Sequence, residues 1–271
     1  MAAIRMSSGI LCGYYVHVSI FFGTRRAVNL KAANKIAPMK AATTPVEDRP
    51  KVSARDLRRE AASAAADTKH TKEIAKQFSL LRTRLLREMR SRGWRRLAVV
   101  PVTRGAGGTF TSVNLALALA RQSHTEVILI DLDLGNPGVA DQLGVPGRGL
   151  IGATLLRDQP LEQMVGRLSE APNLALLAPG APEPGAAELL QDHRFVTELQ
   201  RLTESHPSEL AIFDFAPLLG DDTALAALPL ADAILLVADG RRTTAAQMQE
   251  CERLLVGLPP VMGVILNKSE D

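Results

Sequence analysis

The residues with the most chemical content lie in one short run, Thr103-Arg104-Gly105-Ala106-Gly107-Gly108-Thr109-Phe110. It follows an apolar segment (97–102, LAVVPV) and precedes a segment of helical spacing (109–122). A strand, a glycine loop and a helix in that order let backbone N–H groups close on an oxyanion, and the helix N-terminus adds about half a positive charge. Loops of this kind carry Lys before Ser/Thr. Here Gly108 stands at the lysine position, while Thr109 keeps a hydroxyl suited to Mg²⁺. Taken alone, the run is also compatible with a glycine turn needed only for tight packing.

Carboxylates narrow the choice. Asp131 and Asp133 follow a second apolar run in LIDLDLGNP, and Asp214 follows a later one in LAIFDFAP. Any one of them could be a turn former or a helix cap. Carboxylates at the C-terminal ends of neighbouring parallel strands, however, converge on the crevice that holds such a loop, and Mg²⁺ takes hard oxygen ligands.

The elements that must position these groups are legible as a pattern. Apolar runs at 97–102, 127–131, 174–179, 210–215, 233–238 and 261–267 lack polar alternation, as buried parallel strands do. Segments of helical spacing lie between them at 109–122, 150–167, 185–205, 222–228 and 243–256. The expected fold is α/β, a doubly wound, mostly parallel sheet with helices on both faces. Ahead of it, Ile74, Phe78, Leu81, Leu85 and Met89 form one face of an amphipathic helix whose polar side carries Arg82, Arg84, Arg87 and Arg90, and Gly93 ends it.

The remainder of the chain reads differently. Residues 10–22 contain an apolar stretch interrupted by His17 and Ser19 and flanked by Arg5 and Arg25-Arg26, shorter than the ~20 residues that cross a bilayer. Met39 offers a second start. Residues 1–38 are therefore read as a leader or as a start codon placed too early, 39–68 as a basic flexible linker, and 69–271 as the compact domain. The formal net charge of +3 conceals an asymmetry: residues 1–96 hold 21 Lys/Arg against 7 Asp/Glu, the rest 11 against 22. Such an arm suits an anionic membrane surface or an acidic partner. Its basic residues are not interleaved with aromatics and match no nucleic-acid motif, which argues against nucleic acid. Two cysteines, Cys12 and Cys251, and five histidines without ligand spacing exclude a disulfide framework and a Cys/His metal site, and fit the reducing cytoplasm.

Several segments in succession carry a resemblance: FSLLRTRLL at 78–86, RGAGGTFTSVNLALALA at 104–120, LIDLDLGNP at 129–137, LLAPGAPEPGAAELL at 176–190, FDFAPLLGDDTALAALPLADAILLVADG at 213–240 and GVILNK at 263–268. Together they resemble the cytoplasmic domain of bacterial tyrosine kinases of capsular and exopolysaccharide biosynthesis, within the partitioning-type P-loop ATPases. The resemblance implies ATP or ADP with Mg²⁺ as cofactors. Arg104, Gly105, Gly107, Gly108, Thr109, Phe110 and Asn267 would be the nucleotide contacts, Asn267 at the adenine base. Asp131, Asp133 and Asp214 would be the catalytic carboxylates, with Thr109, Asp131 and Asp214 around the metal. It also implies a homo-oligomer that docks on a membrane-embedded chain-length regulator or export protein, cytoplasmic or peripheral at the inner membrane.

Departures from that pattern qualify the expectation. Besides Gly108, Gly135 and Asn136 stand where the family often has arginines, and Lys76 and Ser79 stand where its interface helix usually has Glu and Arg, leaving Arg82. No tyrosine-rich tail precedes Asp271, and the only tyrosines are Tyr14 and Tyr15. The expectation is a degenerate kinase-like component of polysaccharide biosynthesis or export with weak or no ATP use. Two alternatives stay open: an active Mg-ATP-dependent ATPase or tyrosine kinase acting on a partner, and a partitioning or division-site ATPase, for which Thr103 stands where a lysine is expected.

Overall fold

In the computed structural model, described over residues 15–22, 26–33, 75–205, 209–220 and 222–268, the sheet order is β2-β1-β9-β8-β3-β7-β4-β6-β5. The strands are β1 (Tyr15–Phe22), β2 (Arg26–Ala33), β3 (Arg96–Pro101), β4 (Val127–Asp131), β5 (Gly166–Leu168), β6 (Ala171–Leu177), β7 (Leu210–Asp214), β8 (Ala233–Asp239) and β9 (Val261–Asn267). Six of them, β9 to β6 in that order, run parallel; β5 pairs antiparallel with β6, and β1 pairs antiparallel with both β2 and β9. The apolar run at the start of the sequence thus contributes the strand beside β9. The segment 39–68 and Ile74 lie outside the described residues, and no described helix is long and apolar enough to cross a membrane.

Continuous apolar strands mark burial on both faces, and alternate residues divide between two cores. Leu97, Val99, Leu129, Ile212 and Leu235 join the cluster under helix α1 (75–92) and helix α2 (Gly108–Ala120). Ala98, Val100, Ile128, Ile130, Ala211, Phe213 and Ile234 join the opposite one, under helices that include α6 (His193–Ser205) and α8 (Ala245–Leu254). This is the doubly wound arrangement expected from the pattern. On α1 the anticipated face is the buried one: Phe78, Leu81, Leu85 and Met89. Gly93 (φ 69°) ends that helix, with Gly93 N–H on Arg90 O at 3.3 Å and Trp94 N–H on Met89 O at 2.9 Å, a Schellman closure that needs a left-handed residue.

Two segments depart from the sequence reading. Residues 150–167 do not form one helix. They hold α4 (Ile151–Leu156), a 3₁₀ turn (Leu161–Met164) and β5. Asp158 adopts φ 51° and Pro160 follows, which stops the helix. Residues 185–205 break into α5 (Ala186–Gln191) and α6, because Asp192 is extended and its side chain accepts the Arg194 N–H at 2.7 Å. That is the geometry of a residue starting a new helix.

Candidate functional site

The crevice forms where the chain reverses direction across the sheet. From central β3 it crosses through α2 to β4 on one side, returns to β7 between them, and then builds β8 and β9 on the other side. Ligands of such sheets collect at the C-terminal ends of these strands. Residues 102–107 run from β3 into α2, with Gly105 at φ 81° and Gly107 at φ 97° as the helix N-cap, and no side chain caps that terminus. The first-turn N–H groups of a helix have no intrahelical acceptor. Here they belong to the glycine loop itself.

The three aspartates come together as expected. Asp131 ends β4, Asp214 ends β7, and they face each other in the parallel register. Asp131 Oδ2 accepts N–H bonds from Gly138 and Val139, both at 2.9 Å, and Oδ1 accepts from Asp133 N–H at 3.2 Å. Ser112, one turn along α2 from Thr109, donates to Asp214 Oδ1 at 2.7 Å. Thr109 lies beside the same loop: a Cβ on Gly138 would meet its Oγ1 at 3.6 Å. Asp133 is reached by Arg104, whose Nη1 is 3.4 Å from Oδ2 and whose side chain is otherwise exposed.

Burial sets the charge state of this cluster. It drives the Asp131 carboxyl up to about 7, with the Asp133 charge adding to the rise and the Val139 and Gly138 N–H groups opposing it. Asp214, fully buried, is raised well above the usual carboxylate range by desolvation and then by the charge of Asp131, against the pull of the Ser112 and Thr109 hydroxyls. Its Oδ2 is buried with no hydrogen-bond partner. Two buried carboxyls in register with one unpartnered oxygen suit a divalent cation that would neutralise both. Among the described residues no group of three or more His, Cys, Asp or Glu side chains is set to hold a metal alone. A metal here would take one or two carboxylates, the Thr109 hydroxyl and ligand oxygens, as Mg²⁺ does on nucleotides.

The other predicted residues divide. Asn267 ends β9 and is buried; its Nδ2 donates to Ala106 O at 2.7 Å, and its Oδ1 has no partner. It lies so close to the loop that a Cβ on Gly107 would fall 2.0 Å from Nδ2, so position 107 requires glycine for space as well as for its positive φ. The ring of Phe110 packs edge-on against Phe78 in the core, with centroids 6.0 Å apart. That leaves its backbone N–H as the part available to a ligand. Gly108, in ordinary helical conformation, is closed off by its neighbour: a Cβ there would lie 2.8 Å from both Cγ and Cδ of Pro101. A lysine does not fit at that position unless the proline ring or the loop moves.

Pro101, Ser112, Asp239 and Lys268 escaped the sequence reading. Pro101 carries no signal by itself. Ser112 stands at i+3 from Thr109, a spacing that places both on one helix face. Asp239 ends β8 and Lys268 directly follows Asn267; their ion pair, Nζ to Oδ2 at 3.4 Å, lies on the β8–β9 side of the loop, whereas Arg104 reaches toward Asp133 on the β4 side, and Lys268 Nζ donates to Gly105 O. Arg82 on α1 turns inward, donating to Ala118 O at 3.0 Å near the C-terminal end of α2.

Comparison with known proteins agrees with this fold. No family model matches the chain. Its homologues are bacterial tyrosine-protein kinases. The chain is 27% identical over 194 residues to the tyrosine-protein kinase YwqD of Bacillus subtilis, covering 71% of this chain and 80% of YwqD. It is 29% identical over 189 residues to EpsB of Ralstonia nicotianae, covering 69% of this chain but only 24% of EpsB. Among solved structures, the kinase domain of the Escherichia coli tyrosine kinase ETK matches with TM-score 0.65 and 25% identity over 73% of this chain and 76% of that one. The VpsO kinase domain matches with TM-score 0.60 and 25% identity over 80% and 99%. The septum-site protein MinD of Pyrococcus horikoshii, solved with Mg-ADP, shares the fold at TM-score 0.52 and 21% identity over 64% and 69%.

Proposed function

We propose that this homologue of bacterial tyrosine kinases is a nucleotide-binding but catalytically degenerate component of polysaccharide biosynthesis or export, acting through a membrane-embedded partner rather than by efficient phosphoryl transfer. The observation that carries this reading is the pairing of Gly108 with Pro101. The ring occupies the space where a lysine stem would leave the loop, while the surrounding carboxylates and glycine loop are kept.

The nucleotide, when bound, brings the transferable phosphoryl group and the Mg²⁺ that neutralises it. Everything else is the work of the chain. The N–H groups of residues 107–110 and the α2 terminus hold phosphate oxygens. Thr109, Asp131 and Asp214 would hold the metal; to do so Asp131 and Asp214 would release the protons that burial favours in the free protein. Asn267 Oδ1, buried and unpartnered, accepts a hydrogen bond from the amino group of a base. Arg104 is exposed enough to leave Asp133 and approach the phosphates. A lysine fixed in the loop would follow charge onto the transferring group, and electrostatic help of that kind is a large part of catalysis. Without it, binding outlasts chemistry.

The basic segment ahead of residue 96 supports docking on an acidic partner or an anionic inner-membrane surface. Self-association is also part of the proposal, although Arg82, the arginine that the family resemblance assigns to an interface, is engaged within the chain. The test is calorimetric titration of the full chain with Mg-ADP and a non-hydrolysable ATP analogue, alongside phosphate release and intact mass after incubation with Mg-ATP. Measurable but weak binding, negligible turnover and no stable phosphorylation are expected. Tight binding with brisk turnover would establish the active-ATPase reading instead.

A further inference from the structure

Lys268 is an unusual lysine. It follows the last residue of β9, adopts φ 58° although it is not glycine, and exposes only 15% of its side chain. Left-handed backbone is strained for a residue with a Cβ, and lysines are rarely so buried. What this conformation achieves is placement: the ammonium lies on the Gly105 carbonyl, at the mouth of the glycine loop, with Asp239 Oδ2 at 3.4 Å. The adjacent residue, Asn267, holds Ala106 O of the same loop.

We propose that Lys268 is the phosphate-binding cation of this site, supplying from the end of β9 the charge that Gly108 does not supply from within the loop. The inference rests on the nucleotide reading above and adds the residue that makes binding possible. At position 108 a side chain would press on the Pro101 ring, 2.8 Å from its Cγ and Cδ. Arg104, turned to the β4 side, is mostly exposed and, among the described residues, is held by a 3.4 Å contact with Asp133. Lys268 is the cation that the structure fixes against the loop backbone, and Asp239 keeps its charge compensated until an anion takes over. From that position it meets phosphate oxygens at the Gly105 end of the loop and not a group in transfer beside Thr109, so it serves affinity more than catalysis.

The experiment is titration of the full chain and its variants with Mg-ADP, AMP and adenosine. In Lys268→Met, Mg-ADP affinity falls about ten- to a hundredfold, the usual worth of a charge-assisted bond. AMP affinity falls less, adenosine affinity stays within twofold, and Lys268→Arg recovers most of the loss for ADP. Asp239→Asn, which keeps an oxygen for the Arg241 N–H that Asp239 Oδ1 accepts at 2.9 Å, tightens Mg-ADP several-fold by releasing the ammonium. A purely structural lysine gives the opposite sign there, since losing the ion pair would loosen the loop and weaken every ligand. Equal losses for ADP and adenosine in Lys268→Met, unchanged ADP affinity in that variant, or weaker ADP binding in Asp239→Asn would each overturn the proposal while leaving the nucleotide reading intact. No binding of Mg-ADP by the unmodified chain at millimolar concentration would overturn both.

Discussion

Restoring the missing lysine should fail unless Pro101 is changed with it. Gly108 has helical backbone angles, so no conformational penalty bars a side chain; the obstacle is the pyrrolidine ring, 2.8 Å at Cγ and Cδ and 3.2 Å at Cβ from a new Cβ. Carbon atoms rest at about 3.5–4.0 Å, so two contacts are short by roughly 0.7 Å against a ring that cannot rotate away. Overpacking of this size costs about 1–3 kcal/mol. A lysine–phosphate bond returns about 1.5–3 kcal/mol, so in Gly108→Lys the two nearly cancel and Mg-ADP affinity changes by less than about threefold, with a lower melting temperature. Pro101→Ala removes the ring and keeps the carbonyl that accepts the Leu218 N–H at 2.8 Å. The double variant Pro101→Ala/Gly108→Lys should therefore bind Mg-ADP about ten- to a hundredfold more tightly than Pro101→Ala alone and gain measurable phosphate release. Titration calorimetry of the four proteins closes the cycle. If Gly108→Lys alone tightens binding as much as the double change does, the proline ring is not what excludes the lysine.

Other consequences follow from the buried acids and the helix contacts. Because Asp131 and Asp214 hold their protons more firmly in the folded protein than in the unfolded chain, their contribution to stability is greatest below about pH 4 and is lost as pH rises toward 7 and beyond. Asp214→Asn should raise the melting temperature of the nucleotide-free protein at pH 8 and flatten its pH dependence, while abolishing the Mg²⁺ dependence of ADP binding; a lower melting temperature at pH 8 would contradict the burial argument. Ser112→Ala removes the 2.7 Å bond to Asp214 and should cost about 1–3 kcal/mol in denaturant titration. Phe78→Ala deletes the edge-on partner of Phe110 and should cost about 3–5 kcal/mol, with loss of nucleotide binding only in proportion to unfolding.

The strands and the carboxylates were legible because their signals are local. Six apolar runs without polar alternation announce parallel strands, and an aspartate at the end of two of those strands announces a crevice, so Asp131 and Asp214 in register follow from pattern plus topology. The amphipathic spacing of α1 was readable for the same reason. What escaped was set by tertiary contact. The three residues of β5 are too few to show a period, and the break at Asp192 depends on one side-chain bond. The reason Gly108 is glycine lies in Pro101, seven positions earlier and visible only when strand and helix are packed. Lys268 reads as an ordinary charge at the end of a strand until its left-handed backbone turns it onto the loop.

The distribution of charge around this loop separates affinity from catalysis. A loop lysine travels with the bound phosphates and sits where charge develops during transfer, so its value is greatest in the transition state. In this chain the two candidate cations stand at the rim, Arg104 against Asp133 at the β4 side and Lys268 against Asp239 at the β8–β9 side, while the interior holds paired carboxyls whose burial already disfavours negative charge. Rim cations attract the ground-state anion as strongly as the transition state, and uniform attraction leaves the chemical step unaccelerated. A site built this way suits a switch set by nucleotide occupancy. Saturating Mg-ADP should therefore change the affinity for an acidic or membrane-borne partner in a co-sedimentation assay. Lys268→Met should move that change to about ten- to a hundredfold higher Mg-ADP while leaving the nucleotide-free interaction unchanged, and an identical Mg-ADP titration of both proteins would refute the switch.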